Sequence, residues 1–351
     1  MSRTVPARFI PVIRSVCFAF VTLPVCGCTP GVVSAQGSDI LTCIGECDLH
    51  FGNFMVVDDH QAFISTMEGL DIVDLSDPHR PVLREALSLG GNAFEIARIG
   101  DHLYLQSGGL QILDIGRTGE AEVVEVYGRG NRYAGLAARG TLLFTVIYDR
   151  GLEVLDIRDP IRPSLLGRYS GRTDGGYVQV LLNNEAAYLA HLHGGLEVLD
   201  ISDPAAPVRV MTVPGTGAHD DPSRPPELRN RLCESLVFNN LLIVGTRTAM
   251  DFYDVTDPLT PRYLSSLGGY DDWSGQIHKL TAADNLLLFC HGDDEIVAVD
   301  IADPRTPRFV GGMREPVHAM HWTGEYLYTV LLTFKVFTIE RAGGRIPVDG
   351  R

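Results

Sequence analysis

The sequence predicts an all-β protein: a seven-bladed β-propeller of four-stranded blades, its ring closed by an N-terminal strand. Three observations predict it. One strand-and-turn unit recurs seven times, its copies stand about 42 residues apart, and no stretch carries a helical hydrophobic period.

The clearest copy is Gly-Leu-Glu-Val-Leu-Asp-Ile-Ser-Asp-Pro-Ala-Ala-Pro at 195–207. Its first half reads as a β-strand, and Asp203-Pro204 punctuates it. Proline presets φ for a tight turn, and aspartate hydrogen-bonds the turn's own backbone. The unit returns at 69–81, 109–116, 151–163, 249–261 and 295–307, with a worn seventh copy at 334–340. Its strand-end aspartates are Asp74, Asp114, Asp156, Asp200, Asp254 and Asp300, and Thr338 stands in the last copy. Repeated six times around a ring, this aspartate is expected to accept backbone N–H groups at its turn rather than to do chemistry. On these residues the chain resembles the LVIVD-repeat family of bacterial and archaeal surface proteins, and the resemblance implies a β-propeller.

Each unit reads as four short strands, for example 178–182, 186–190, 196–201 and 208–213. Turn pairs such as Asn183-Asn184, Asn239-Asn240 and Gly100-Asp101 join the first two. Such a unit cannot bury both faces alone and must stack on neighbours. The seventh copy has only a Gly-rich tail after it, so its blade lacks an outer strand. Residues 40–44 are expected to supply that strand, which would leave no open sheet edge; the other reading of this segment is a linker behind a lipid anchor.

The chain has 351 residues, 45% of them hydrophobic, and a formal net charge of −15. Of its 29 basic residues only Lys279 and Lys335 are lysines. An acidic chain with no basic stripe argues against nucleic acid as a partner. Residues 1–35 read as an export signal: Arg3, Arg8 and Arg14 precede an apolar core at 16–25. That core is too short to cross a bilayer, which takes about twenty apolar residues. Two processing sites compete, Val33-Ser34-Ala35 for ordinary signal peptidase and Val25-Cys26-Gly27-Cys28 as a lipobox with Cys28 lipidated. The expected address is the bacterial cell envelope, as an outer-membrane lipoprotein or a periplasmic or extracellular protein, touching membrane only through that anchor. The propeller is expected over 39–341, with a flexible tail at 342–351.

Beyond the signal lie Cys43, Cys47, Cys233 and Cys290. Cys233 and Cys290 are expected near one face on adjacent blades, as disulfide candidates, whereas Cys43 and Cys47 could bridge only across a turn.

Propeller faces differ. The first-to-second and third-to-fourth turns make one face uniform, while the second-to-third loops and the links between blades are expected to vary and to carry binding residues. Binding candidates there are His191, His193, His219, Asp271, Trp273 and His291, with Gln179 in the channel. Aligning the units puts Asn53, Glu95, Ala134, Gln179, Glu234, His278 and His318 at one level of the channel, the register in the last two units being uncertain by one residue. Glu95, Glu234, His278 and His318 would be the catalytic set of a hydrolase or lyase. No cofactor is expected, though acid with imidazole is also the donor set a channel-mouth metal ion would use. Polar side chains on a channel wall equally well meet only water. No Ser-His-Asp elbow, phosphate-cradling loop or paired-carboxylate motif is present. The reading favoured is a non-enzymatic envelope scaffold that binds a protein or glycan through its variable face.

Overall fold

The computed structural model describes residues 41–58, 60–116, 120–172, 176–192, 195–213, 232–246, 249–268, 277–291 and 295–339. They form 28 strands in seven four-stranded antiparallel sheets, with no helix among them.

The first sheet holds β2 (Gly52–Val57), β3 (Gln61–Thr66), β4 (Gly69–Asp74) and β5 (Val82–Ser88). The second holds β6 (Ile96–Ile99), β7 (His102–Gln106), β8 (Leu110–Asp114) and β9 (Glu122–Tyr127). The third holds β10 (Tyr133–Arg139), β11 (Leu142–Ile147), β12 (Gly151–Asp156) and β13 (Ser164–Ser170). The fourth holds β14 (Tyr177–Asn183), β15 (Ala186–His191), β16 (Gly195–Asp200) and β17 (Val208–Val213). The fifth holds β18 (Leu232–Phe238), β19 (Leu241–Thr246), β20 (Ala249–Asp254) and β21 (Arg262–Gly268). The sixth holds β22 (Ile277–Ala283), β23 (Leu286–His291), β24 (Glu295–Asp300) and β25 (Arg308–Arg314). The seventh joins β26 (Ala319–Trp322), β27 (Leu327–Val330) and β28 (Thr333–Ile339) to β1 (Leu41–Asp48) from the other end of the chain.

First strands of successive sheets pack side by side, β2 on β6 and so on to β22 on β26, and β26 packs on β2. The apolar core lies between sheets. Phe63, Leu70 and Ile72 of the first sheet pack on Leu103, Leu105 and Leu113 of the second, and the other junctions repeat the arrangement. Second and third strands are therefore buried on both faces, while fourth strands such as β5 alternate with solvent.

The repeated turn explains itself atom by atom. Each strand-end aspartate accepts the backbone N–H two residues on, from Ser76, Gly116, Arg158, Ser202, Thr256 and Ala302, at 2.7–3.0 Å. The second aspartate does the same at Asp77, Asp203, Asp257 and Asp303. These N–H donors hold the carboxylates of Asp200 and Asp303 below the usual aspartate range. The turn then docks on the preceding blade: the Tyr104 hydroxyl donates to the Pro160 carbonyl at 2.9 Å and Tyr188 to Pro258 at 2.7 Å.

Every third-to-fourth pair carries a β-bulge at the same register, the extra residue being Arg84, Val124, Leu166, Val210, Leu264 and Val310. The β1–β28 pair has its own, between Cys43 and Gly45. In the third sheet the bulge brings Gly167 against the next blade's turn, where a Cβ would stand 2.3 Å from the Pro204 carbonyl oxygen. Gly45 meets Pro78 in the same way, also at 2.3 Å. The N-terminal strand therefore has the pairing, bulge and neighbour contact of a fourth strand. It is longer than the five residues expected, running on to Asp48.

One expectation about the faces is corrected. Each of the six third-to-fourth turns has seven residues, 75–81 being the first, and the second-to-third hairpins have only two or three. The links between blades vary most, from three residues at 49–51 to eighteen at 214–231. A hairpin within one sheet is confined by strand spacing, whereas an interblade link is not.

Candidate functional site

Register fixes which residues of the first strands share a level. Counting four back from the last paired residue before each hairpin gives Phe54, Glu95, Gly135, Gln179, Glu234, Lys279 and Ala319. Glu95, Gln179 and Glu234 stand there as expected from the sequence. Asn53, Ala134, His278 and His318 are one residue off, and Phe54, Gly135, Lys279 and Ala319 replace them. A second bulge accompanies this level in five sheets. In the first, third, fourth and fifth sheets it falls just before this level, at Asn53, Ala134, Val178 and Cys233. In the sixth it falls on Lys279 itself.

The ring of side chains is cross-linked on one side. Gln179 Nε2 donates to Glu234 Oε1 at 2.9 Å and to the Ser235 carbonyl at 3.0 Å, and its Oε1 accepts the Ser235 N–H at 3.0 Å. Glu95 Oε2 accepts the Leu136 N–H at 2.7 Å. Lys279 places its ammonium over the Phe54 ring, with Nζ 3.2 Å from the centroid. Among the described residues no carboxylate lies within ion-pair distance of that Nζ.

Electrostatics here are those of a narrow channel, since Glu95, Glu234 and Lys279 are crowded by protein yet remain only half-buried. Desolvation, then repulsion from Glu234, pushes the Glu95 carboxyl up to about 8, against the pull of Lys279 and the Leu136 N–H. Desolvation likewise raises Glu234, opposed by Lys279 and Gln179. It lowers Lys279, opposed by the two glutamates. The buried Cys290 thiol below is pushed up to about 12 by desolvation.

The remaining candidates lie elsewhere. His191 is fully buried, its ring edge-on to Tyr177 with centroids 5.0 Å apart, so it is no surface contact. His291 Nδ1 stands 3.5 Å from Glu295 Oε2. His318 Nδ1 lies 3.1 Å from the Gly52 carbonyl oxygen, at the junction of the last and first sheets. Cys290 is a free thiol with Sγ 3.8 Å from Met320 Sδ. Cys43 and Cys47 are both free on extended β1, with no turn between them to permit a bridge. Cys28, His193, His219, Asp271 and Trp273 fall outside the described residues, as do the side chains of Cys233 and His278. No group of three His, Cys, Asp or Glu among the described residues is placed to hold a metal ion.

Two sets of residues escaped the sequence reading. Lys279 could have been found by counting from the hairpin, and its rarity marks it: the other 27 basic residues, Lys335 apart, are arginines. The second set is the third-strand acids. Glu153 and Glu197 are almost fully buried; Glu197 accepts the hydroxyls of Tyr177 at 2.7 Å and Tyr169 at 3.1 Å, and Glu153 meets Arg168 at 2.8 Å. Asp71, equally buried, holds the exposed His50 at 3.0 Å. These acids tie neighbouring strands and blades together.

Comparison with known proteins bears on the fold. No curated protein matches the sequence. Among solved structures the chain is similar to the WD40 β-propeller domain of Doa1, at 10% identity and a TM-score of 0.65, over 87% of this chain and 99% of that one. It is similar to a virginiamycin B lyase from Staphylococcus aureus, at 10% and 0.63, over 85% and 99%. A computationally designed protein, Ika8, gives 14% and 0.61, again over 85% and 99%. At such identities the likeness is one of fold alone. The LVIVD repeat model matches residues 54–87, 134–171 and 175–214, which are the first, third and fourth sheets. The chain is thus a seven-bladed β-propeller that carries LVIVD repeats.

Proposed function

We propose that the chain is an exported envelope protein, a propeller scaffold that binds a protein or glycan partner through the face carrying its interblade links. The observation that carries this reading is the contrast in length: every third-to-fourth turn has seven residues, while interblade links range from three to eighteen. Varied connections on a rigid scaffold are where binding residues concentrate. The longest link, 214–231, contains His219, and 269–276 contains Asp271 and Trp273. Proximity labelling from the native envelope tests it, with a second chain whose 214–231 is cut to a six-residue link. Neighbours recovered by the parent and lost by the shortened chain are the expected result. Identical sets from the two chains would move binding away from this face.

A hydrolase or lyase working at the channel mouth is the second reading. The raised carboxyls of Glu95 and Glu234 favour it, since a protonated acid beside an ionised one is the pairing acid–base chemistry uses.

A further inference from the structure

Lys279 stands apart in its backbone, its surroundings and its residue type. Its backbone is left-handed, at φ 52°, one of four described non-glycine residues with positive φ. The other three, Asn184, Asn239 and Asp284, sit in hairpin turns and are of the types that tolerate it; a lysine inside a strand is not. A bulge centred on the residue aims its side chain into the channel, and bulges re-aim side chains beside functional sites. Its ammonium lies over an aromatic ring and in the field of the Glu95 and Glu234 carboxyls, with no ion pair among the described residues. Finally, it is one of only two lysines in a chain of 27 arginines. Arginine supplies positive charge everywhere else, and a guanidinium cannot lose its proton, whereas a lysine amine can.

We infer that the channel is a carbonyl-binding site in which Lys279 forms a Schiff base with a small aldehyde or ketone and Glu95 is the proton donor. The neutral amine's lone pair forms the C–N bond, and the carbonyl oxygen takes the Glu95 proton. The Glu95 carboxylate takes back a proton from the nitrogen, leaving a carbinolamine. Protonated again by Glu95 on its hydroxyl, the carbinolamine loses water, and the nitrogen lone pair closes the C=N bond. Amine and carbonyl thus become iminium, carboxylate and water with no oxidant or co-reactant. Glu234, held by Gln179, supplies a fixed negative charge for the iminium. Desolvation acts in the direction the step needs at both groups, toward a neutral Lys279 and a protonated Glu95.

The chain carries its own reference. Lys335 is ion-paired to Glu315 at 2.6 Å, and that hydrogen bond raises its amine above the ordinary value. The test treats the whole protein with propanal and sodium cyanoborohydride at neutral pH and follows N-propylation of the two lysines by peptide mass spectrometry. Lys279 is expected to react at least about tenfold faster than Lys335, because desolvation favours its neutral amine while the Glu315 ion pair keeps Lys335 protonated. Glu95→Gln is expected to slow Lys279 by about tenfold or more while leaving Lys335 unchanged. Labelling of Lys335 as fast as Lys279 in the wild-type chain overturns the proposal without recourse to a variant. An unaltered Lys279 rate in a folded Glu95→Gln chain removes Glu95 from the step.

Discussion

Glu95 combines a backbone hydrogen bond with a position that opposes its charge, and the two can be separated by pH. Its ordinary carboxyl value is 4.5 and the channel moves it to about 8. Between those values the folded chain holds a proton that the unfolded chain has released. Stability from this group therefore falls as pH rises through that window, the reverse of a salt-bridged acid. Glu95→Gln keeps an oxygen for the Leu136 N–H and removes the titration. The variant is expected to gain on wild type in Tm between pH 5 and pH 8; a difference that stays flat would mean that Glu95 is ionised throughout. None of this was legible from composition. Glu95 itself could be placed by aligning units, and Lys279 by counting from its hairpin, but the bulge that turns the Lys279 side chain into the channel leaves no mark in sequence. Asn53, Ala134, Val178 and Cys233 occupy the same bulge and share no chemistry. Glu153 and Glu197 were hidden for a different reason. Alternation along a strand assigns its polar residues to solvent, but third strands here are covered on both faces, so an acid within them must find partners inside.

At the scale of the element, the repeat is a device for fixing one blade against the next. The strand-end aspartate shapes its turn, the turn's proline carbonyl receives a hydroxyl from the previous blade, and at Gly167, Ser265 and Gly45 the residue after the fourth-strand bulge lies against the next blade's turn. The aspartate was readable because an Asp-Pro pair stands three residues beyond it in five copies, always at that spacing. The bulge was not, although it accounts for Gly167. A side chain there has no room, since its Cβ would lie 2.3 Å from the Pro204 carbonyl oxygen and 2.8 Å from Ala205 backbone atoms, neither of which can swing aside. Gly167→Val is expected to cost about 1–3 kcal/mol in urea unfolding, as overpacking does. Leu166→Ala, at the half-exposed bulged position beside it, is expected to stay within about 0.5 kcal/mol. Equal losses from the two would show that the strand, not its contact with the next blade, sets the cost.

For the whole molecule, the seventh sheet draws strands from both ends of the described chain, and that makes its stability depend on residues far from its own hairpins. Leu41 of β1 is buried against Phe337 and Ile339, and Ile44 and Cys47 pack beside Leu75 and Val336. One strand therefore covers the edge of β28 and touches two further blades. Burial of Leu41 alone is worth about 2 kcal/mol. A chain starting at Gly52 loses all of these contacts and exposes the β28 edge, with its unpaired N–H and C=O groups, to other molecules. A chain starting at Leu41 keeps them. The shorter chain is expected to melt lower and to associate as its concentration rises, and the longer one to match the parent; scanning calorimetry and light scattering over a concentration series read both. If both truncations melt with the parent and stay monomeric, β1 contributes nothing to the propeller, and the seventh blade is complete with three strands.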